Sequence, residues 1–173
     1  MKKDFININN HRGFTLIEII VAMTIMGLLV LLGSFGLQSA VDGYTLARDN
    51  AHLSQKAQAA LDRMAIEFAS ITFNGAQSRY NIITGNNSSL TYTANFGGAD
   101  ENHTIALGGS QVQLDNIPLT DIVGAFQLTY MNSNGAVVGG AVDPAVRIIG
   151  VSLTLNGPNG ITRIFNTRVA LQR

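Results

Sequence analysis

Glu18 is the side chain whose position most clearly asks for a chemical explanation. It stands near the start of an apolar segment, and the 23 residues that follow it, 19–41, carry no charge. An uncharged run of that length is enough to cross a bilayer as a helix. A charged carboxylate in the apolar part of such a helix costs roughly 2.5–3.5 kcal/mol. The residues alone leave two interpretations open: Glu18 is solvated at the membrane interface, or a positive group neutralises it.

Metal binding has little support elsewhere in the sequence. The three histidines, His11, His52 and His103, lack HExxH or any comparable ligand spacing. We place them in a leader, on a helix and in a loop, respectively. Residues 100–102 (Asp-Glu-Asn) offer the oxygen ligands that calcium prefers, but they lack the Dx[DN]x[DN]G spacing, so we favour a solvated acidic turn over a calcium site. We expect no catalytic metal and no cofactor.

Catalytic motifs are equally scarce. The pairs Gly97-Gly98 and Gly108-Gly109 fit neither GxxxxGK[ST] nor GxGxxG, and they indicate turns. Serines are plentiful, but the sequence contains no G-x-S-x-G motif. The 11 basic and 11 acidic residues give no net charge and do not suggest nucleic-acid binding. The absence of cysteine excludes disulfides and cysteine-bound zinc. We therefore expect no enzyme, no small-molecule substrate and no nucleic-acid partner.

A short basic leader, residues 1–13, precedes the apolar segment. It contains three basic residues, whereas Asp42 and Asp49 lie just beyond the apolar run. Because a Lys/Arg excess marks the cytoplasmic side of a membrane helix, we expect the leader to stay in the cytoplasm and the C-terminal part to lie outside. Ordinary signal cleavage near residues 39–40 is disfavoured, because the apolar run is too long for a signal peptide.

The apolar helix is predicted to continue as an amphipathic helix over residues 44–72. Apolar side chains recur there at spacings of three and four, the period of a helix with one buried face. The predicted buried face comprises Leu53, Ala57, Ala60, Leu61, Met64, Phe68 and Ile71. The predicted polar face comprises Gln55, Lys56, Gln58, Asp62, Arg63 and Glu67. We assign no function to the Arg63–Glu67 pair, because an exposed pair of this kind contributes only a few tenths of a kcal/mol.

Short β-like segments follow, separated by Asn, Gly and Ser. The last three alternate apolar and polar side chains with the period of two that is typical of a strand with one buried face. The predicted strands are residues 79–84, 89–94, 104–107, 111–114, 123–131, 147–155 and 162–171. Residues 156–160 (Asn-Gly-Pro-Asn-Gly) predict a hairpin loop between the last two strands.

These patterns together predict an α+β fold in two layers. The apolar face of the helix would cover the buried face of an antiparallel sheet over residues 79–171. Outside the predicted strand 89–94, residues 84–102 are rich in loop-forming Gly, Asn and Ser, as are residues 132–146, and we expect these two segments to form the most variable surface.

Residues 12–38 combine features that together form a specific motif. A basic leader is followed by Gly13-Phe14-Thr15-Leu16-Ile17-Glu18, with the carboxylate four residues after the Phe, and then by the long apolar run. This segment resembles the N-terminus of type IV pilins and type II secretion pseudopilins.

The resemblance implies covalent processing at Gly13 and Phe14. In that family a membrane aspartyl peptidase, the prepilin peptidase, cuts after the Gly and methylates the new N-terminal Phe. Gly13 would precede the cut, and Phe14 would become the N-methylated terminus. The new amine would give Glu18 a positive partner, which the resemblance implies belongs to a neighbouring subunit. A buried ion pair gives registry more readily than stability, so Glu18 would set the axial register of a filament.

The resemblance also implies an organisation and a set of partners. We expect a leader (1–13), a transmembrane and assembly helix (14–41) and a pilin-like head (42–173). The expected partners are the prepilin peptidase, other pilin or pseudopilin subunits and the inner membrane. The chain would span the bacterial inner membrane once, with a cytoplasmic N-terminus and a periplasmic head, and would then enter a pilus or pseudopilus.

Two departures from the pattern of major pilins bear on the subclass. The chain lacks the cysteines of their C-terminal disulfide loop and a helix-kinking proline in its apolar half. Residues 48–70 and the final strands resemble minor pilins or minor pseudopilins, especially the J class of type II secretion and the W class of type IV pili. We expect a minor structural subunit. The alternative is a membrane-anchored periplasmic domain that does not polymerise and binds a ligand through residues 84–102 and 132–146.

Overall fold

The computed structural model describes residues 13–172 of the chain, apart from the side chain of residue 159. Residues 1–12 of the predicted leader, and His11 with them, lie outside the described residues. The chain divides into two compact units, with the boundary between Leu46 and Ala47. One helix, α1 (Leu16–Ala69), begins in the first unit and ends in the second.

The first unit contains the apolar part of α1. Every described residue up to Leu46 is exposed, including the large apolar side chains of Phe14, Ile17 and Leu32. By length and composition α1 can cross a membrane, and none of its most apolar stretch is buried within the protein. An apolar surface of this extent requires a cover of lipid or of other protein. The first unit therefore fits membrane anchoring.

The second unit combines the end of α1 with the β-strands. Within the described residues the strands are β1 (Phe73–Asn74), β2 (Arg79–Tyr80), β3 (Ile82–Gly85), β4 (Ser89–Asn95), β5 (Asp100–Gly108), β6 (Gln111–Leu114), β7 (Ile117–Thr120), β8 (Val123–Met131), β9 (Ile148–Asn156) and β10 (Thr162–Ala170). A short 3₁₀ turn, Pro158–Gly160, links the last two.

These strands form antiparallel sheets of two, three and five strands. β1 pairs with β2 in the smallest sheet. The five-stranded sheet is a meander in which β3 to β7 are neighbours in chain order. The three-stranded sheet has the order β10-β9-β8, and β9 pairs with β10 along its whole length without a register shift.

A single hydrophobic core joins the end of α1 to the two larger sheets. Leu53, Ala57, Met64 and Phe68 of the helix are at most 1% exposed. The same cluster includes, from the sheets, Leu90, Tyr92, Ile105, Val112, Leu128, Val151, Leu153 and Leu155. Burying one large apolar side chain contributes about 1.5–3 kcal/mol, so this core is the main source of stability for the second unit.

The architecture confirms the predicted α+β fold class, because one long N-terminal helix is followed by antiparallel sheets. β6 and β8 have the predicted bounds, and the predicted loop joins β9 to β10 as a hairpin. The helix is shorter than predicted. It begins at Leu16 rather than residue 14, and it ends at Ala69 rather than residue 72, because Ile71 forms a β-bridge with Ala94.

Residues 84–102 contain more strand than the predicted segment 89–94. β4 extends to Asn95 and β5 begins at Asp100, so only residues 86–88 and 96–99 lie between strands. β5 begins with the polar sequence Asp-Glu-Asn-His, which does not predict a strand. These residues nevertheless pair with β4 from Asp100 onward. The segment 132–146, by contrast, lies outside the strands as predicted.

β7 is absent from the prediction, because Pro118 argues against a strand. It is the edge strand of the five-stranded sheet, where a missing N–H is tolerated. Asp115 and Asn116 join β6 to β7 with φ values of 51° and 68°. Two consecutive positive φ angles are the requirement of a tight two-residue hairpin turn, and Asp and Asn adopt them more readily than most residues.

Glu67 lies in the core and not on the predicted polar face of the helix. It follows Ala60 by seven residues and Met64 by three, and these spacings place it on their buried face. A charged residue type predicts the polar face of the helix, but the position of Glu67 in the helical repeat places it on the buried face.

Candidate functional site

Helix α1 begins two residues after Phe14. Gly13, Phe14 and Thr15 lie outside any regular element, and Leu16 is the first helical residue. The backbone N–H of Glu18 donates to the carbonyl oxygen of Thr15 at 3.1 Å and to its Oγ1 at 3.3 Å. Thr15 is therefore the N-cap of the helix. Sequence reasoning missed this role, although the Thr-x-x-Glu spacing of a capping box signals it.

Glu18 is exposed, and it forms no ion pair with any residue of the described part of the chain. The nitrogen of Phe14 is bound to Gly13 in this uncut form, so the amine predicted as its partner does not yet exist. The position of Glu18 in the first turn is favourable for a carboxylate, because the N-terminal end of a helix carries partial positive charge.

The Gly13–Phe14 bond lies in an open segment. Phe14 is 79% exposed. A Cβ atom added at Gly13 would meet no other atom within 4 Å. Neither residue takes part in the helix, so a protease can reach the bond without unwinding α1.

Two hydroxyl groups within the apolar stretch donate hydrogen bonds to the helix backbone. The hydroxyl of Thr24 donates to the carbonyl oxygen of Ile20 at 2.8 Å, and that of Ser34 donates to Val30 at 2.8 Å. Such bonds to the carbonyl four residues back remove the donor from the surroundings. Each hydroxyl can therefore enter a medium that offers no hydrogen bonds.

A second polar cluster lies in the core of the second unit. The Tyr92 hydroxyl donates to Glu67 Oε2 at 3.0 Å. Arg63 Nη2 lies 2.6 Å from Glu67 Oε1, a close ion pair that is not aligned as a hydrogen bond. Burial, and then the neighbouring Glu67 carboxylate, raise the pKa of Tyr92 well above its usual range. Glu67 and Tyr92 are 0% exposed, so neither presents a reactive group to solvent, whereas the side chain of Arg63 is half exposed.

His103 lies in β5 and not in the predicted loop. Its Nδ1 lies 2.7 Å from Asp115 Oδ2, and its ring packs against those of Tyr92 and Phe96. His52 lies on α1, as predicted. The structure does not bring His52 and His103 together with other ligands: within residues 13–172 no group of three or more His, Cys, Asp or Glu side chains could hold a metal.

The acidic pair at residues 100 and 101 is arranged poorly for calcium. Asp100 and Glu101 are consecutive residues of β5, so their side chains point to opposite faces of the sheet. Asp100 Oδ1 accepts a hydrogen bond from Asn95 Nδ2 at 2.9 Å. The pair is better described as the polar start of a strand than as a turn that encloses an ion.

Comparison with known proteins bears on the N-terminal segment. Residues 8–34 match the family model of the prokaryotic N-terminal methylation motif, and the match includes Gly13, Phe14 and Glu18. None of the curated proteins compared matches the chain. The motif and the long apolar helix support the type IV pilin-like family and fit a subunit of the pilin or pseudopilin type. They point to a structural protein rather than an enzyme.

Proposed function

We propose that the chain is a minor pilin or minor pseudopilin, a structural subunit that assembles through its N-terminal helix into a type IV pilus or a type II secretion pseudopilus. The main support for the proposal is the methylation motif, followed by an apolar helical stretch none of which is buried within the protein. Such a helix exchanges lipid for neighbouring helices without a large change in the apolar area removed from water.

Processing by the prepilin peptidase precedes assembly in this proposal. The enzyme cuts between Gly13 and Phe14 and methylates the Phe14 amine. The exposure of Phe14 and the open space around Gly13 support this assignment. The chain is first anchored in the inner membrane with its N-terminus in the cytoplasm and the second unit in the periplasm.

Glu18 then sets the axial register between subunits. In the first unit it is the only acidic side chain between Gly13 and Val41, and its carboxyl group is exposed. Once the leader is removed, the Phe14 amine of a neighbouring subunit is the positive partner. Two opposite charges attract each other strongly in an apolar core when they lie close together. A subunit that docks out of register would bury Glu18 without its positive partner, which is destabilising.

N-terminal mass spectrometry of the chain purified from its native host tests the proposal. We expect a mature chain that begins at methylated Phe14, found together with other pilin-like subunits. Gly13→Leu should leave the leader attached, because it replaces the glycine that precedes the proposed cut, whereas Gly33→Leu, the same change at another exposed glycine, should be processed normally. An intact Met1 or a cut near residue 40 in the unmodified protein would contradict the proposal. A processed chain that never associates with other subunits would instead support the anchored binding domain.

A further inference from the structure

β10 leaves one edge of the three-stranded sheet open. It is the outer strand in the order β10-β9-β8, and it runs for nine residues. No backbone hydrogen bond joins its outer edge to another segment of the described chain. Most of its residues are exposed, including Ile164 at 65%.

The outward-facing backbone groups of β10 can be assigned from its register. The N–H of Leu171 donates to the carbonyl oxygen of Arg147 at 2.9 Å, which continues the pairing with β9. Residues of an antiparallel strand alternate between the two edges, so Ile164, Asn166 and Arg168 turn their N–H and C=O groups away from β9. This edge has the form of a strand that is ready to pair.

The outer edges of the five-stranded sheet differ from that of β10. β7 has only four residues, one of them Pro118, and its pairing with β6 shifts register. β3 also has four residues and a register shift against β4. Short edges, prolines and bulges are the features by which proteins discourage pairing with other chains.

The other edge of the three-stranded sheet is covered by the chain itself. The N–H of Leu128 in β8 donates to Asn87, and the carbonyl oxygen of Tyr130 accepts from Val138. β10 is thus the longest open edge among the described strands, and it lacks proline, lysine and bulges.

Two guanidinium groups mark the open edge. Arg163 and Arg168 are exposed, and their positions are about 17 Å apart along an extended strand. Arg163 donates to Asn50 Oδ1 at 3.2 Å, and neither arginine has an acidic partner within the described residues. Because opposite charges on adjacent strands attract, positive charge on both faces of β10 favours an added strand that carries negative charge.

We infer that β10 is a docking edge for an extended, acidic segment of another protein, which adds a fourth strand to the three-stranded sheet. Main-chain hydrogen bonds at Ile164, Asn166 and Arg168 would hold the added strand, and its carboxylates would pair with the two arginines. Pairing with β10 of a second copy is disfavoured, because it would gather four guanidinium groups along one seam. The inference needs neither the cut at Gly13 nor assembly of the helix.

Site-specific photo-crosslinking in the native host tests this inference on the full chain. A benzoylphenylalanine at Ile164 should cross-link to an acidic, extended segment of another protein, identified by mass spectrometry of the joined peptides. The matched control carries the same probe at Ile117 of β7, which is 67% exposed on the short, proline-containing edge. We expect its cross-linking yield to be about tenfold lower.

Variants of the backbone and of the charges distinguish strand pairing from non-specific association. Asn166→Pro removes an outward N–H and leaves the pairing with β9 intact, so it should lower the yield at Ile164 about tenfold, whereas Asn166→Ala should not. The double change Arg163→Glu and Arg168→Glu should have the same effect, and Arg48→Glu, at an exposed arginine of α1, should not. Thermal melting of each variant establishes that it folds.

Several results would overturn the inference. Equal yields at Ile164 and Ile117, cross-linking to a second copy of the chain, or a partner segment without acidic residues would each do so. A yield that survives in the arginine double variant would do so as well, even where Asn166→Pro fails to fold.

Discussion

At the start of helix α1, Glu18 occupies the third helical position after its N-cap, Thr15. A carboxylate there completes a capping box when it reaches back to the N-cap backbone, and an uncharged amide does so as well. The register role proposed above depends on negative charge and not on hydrogen bonding alone. These two roles therefore respond differently to the same pair of substitutions.

Glu18→Ala should leave membrane insertion intact and abolish assembly with other subunits. Glu18→Gln should also abolish assembly, because a Gln side chain can still accept a capping-box hydrogen bond from the N-cap backbone but lacks the charge that the Phe14 amine requires. Membrane fractionation and recovery of the sheared filament fraction measure the two properties. Normal assembly of the Gln variant would assign Glu18 to helix capping and reject the register role.

Tyr92 should make the second unit sensitive to alkali. Its pKa is raised in the folded protein, first by burial and then by the Glu67 carboxylate, whereas the unfolded chain loses this proton near pH 10. The stabilising effect is therefore fully present below about pH 10 and is lost as the pH rises further. The free energy of unfolding should fall by up to about 1.4 kcal/mol per pH unit for this group.

Tyr92→Phe supplies the control for that titration. Removing the hydroxyl leaves Glu67 Oε2 without its donor, so we expect a loss of about 1–3 kcal/mol at neutral pH. Above pH 10 the difference between the two proteins should shrink, as followed by chemical denaturation at each pH. A constant difference from pH 7 to pH 11 would contradict the assignment. Tyr130, whose pKa burial also raises, is present in both proteins and cancels in the comparison.

At the scale of elements, periodicity located the strands that bury one face and missed those that do not. In β8 the buried residues Phe126, Leu128 and Tyr130 alternate with less buried ones, and the bounds of this strand were predicted without error. β7 buries only Thr120 and contains Pro118, so it leaves no alternating pattern. The first residues of β5 are exposed on both faces, which makes their strand conformation invisible in the sequence. These strands form because their neighbours pair with them, and that information is not local.

Gly85 shows how closely the 132–146 segment packs on the five-stranded sheet. A Cβ atom added there would lie 2.6 Å from Cβ of Ala141 and 2.9 Å from the Tyr130 hydroxyl. Gly85→Ala should therefore destabilise the protein by about 1–3 kcal/mol, since both neighbours are held by the core. Gly75→Ala, where an added Cβ meets nothing within 4 Å, should change stability by less than about 0.5 kcal/mol. The melting temperatures of the two variants test this prediction. Equal melting temperatures would contradict the close packing around Gly85.

For the whole molecule, the sequence distinguishes an exposed apolar surface from a buried one. The side chains of residues 19–41 are apolar on all sides of the helix and exposed, whereas those from Leu53 onward form one stripe and are buried. The motif, the apolar run and the stripe are local patterns, so the methylation motif and the fold class were predictable. The arrangement into separate sheets and the burial of Glu67 against Tyr92 depend on contacts between residues far apart in the chain.

The second unit should fold without the first. Every residue of the hydrophobic core lies between Leu53 and Leu171. A fragment of residues 47–173 should therefore be soluble without detergent and should unfold cooperatively, as measured by circular dichroism during heating. A fragment that dissolves only in detergent, or melts without a cooperative transition, would show that the apolar helix contributes to the core.

The irregular conformation of residues 13–15 has a consequence for the timing of maturation. Proteolysis of a folded chain commonly waits for a local opening, and its rate then falls with the stability of the element that must open. The bond between Gly13 and Phe14 precedes the first hydrogen bond of α1, and the cap at Thr15 lies on the retained side of it. Removal of the leader would thus proceed at a rate independent of helix stability. Mutations that strengthen or weaken α1 should alter how subunits assemble while leaving the speed of their processing unchanged.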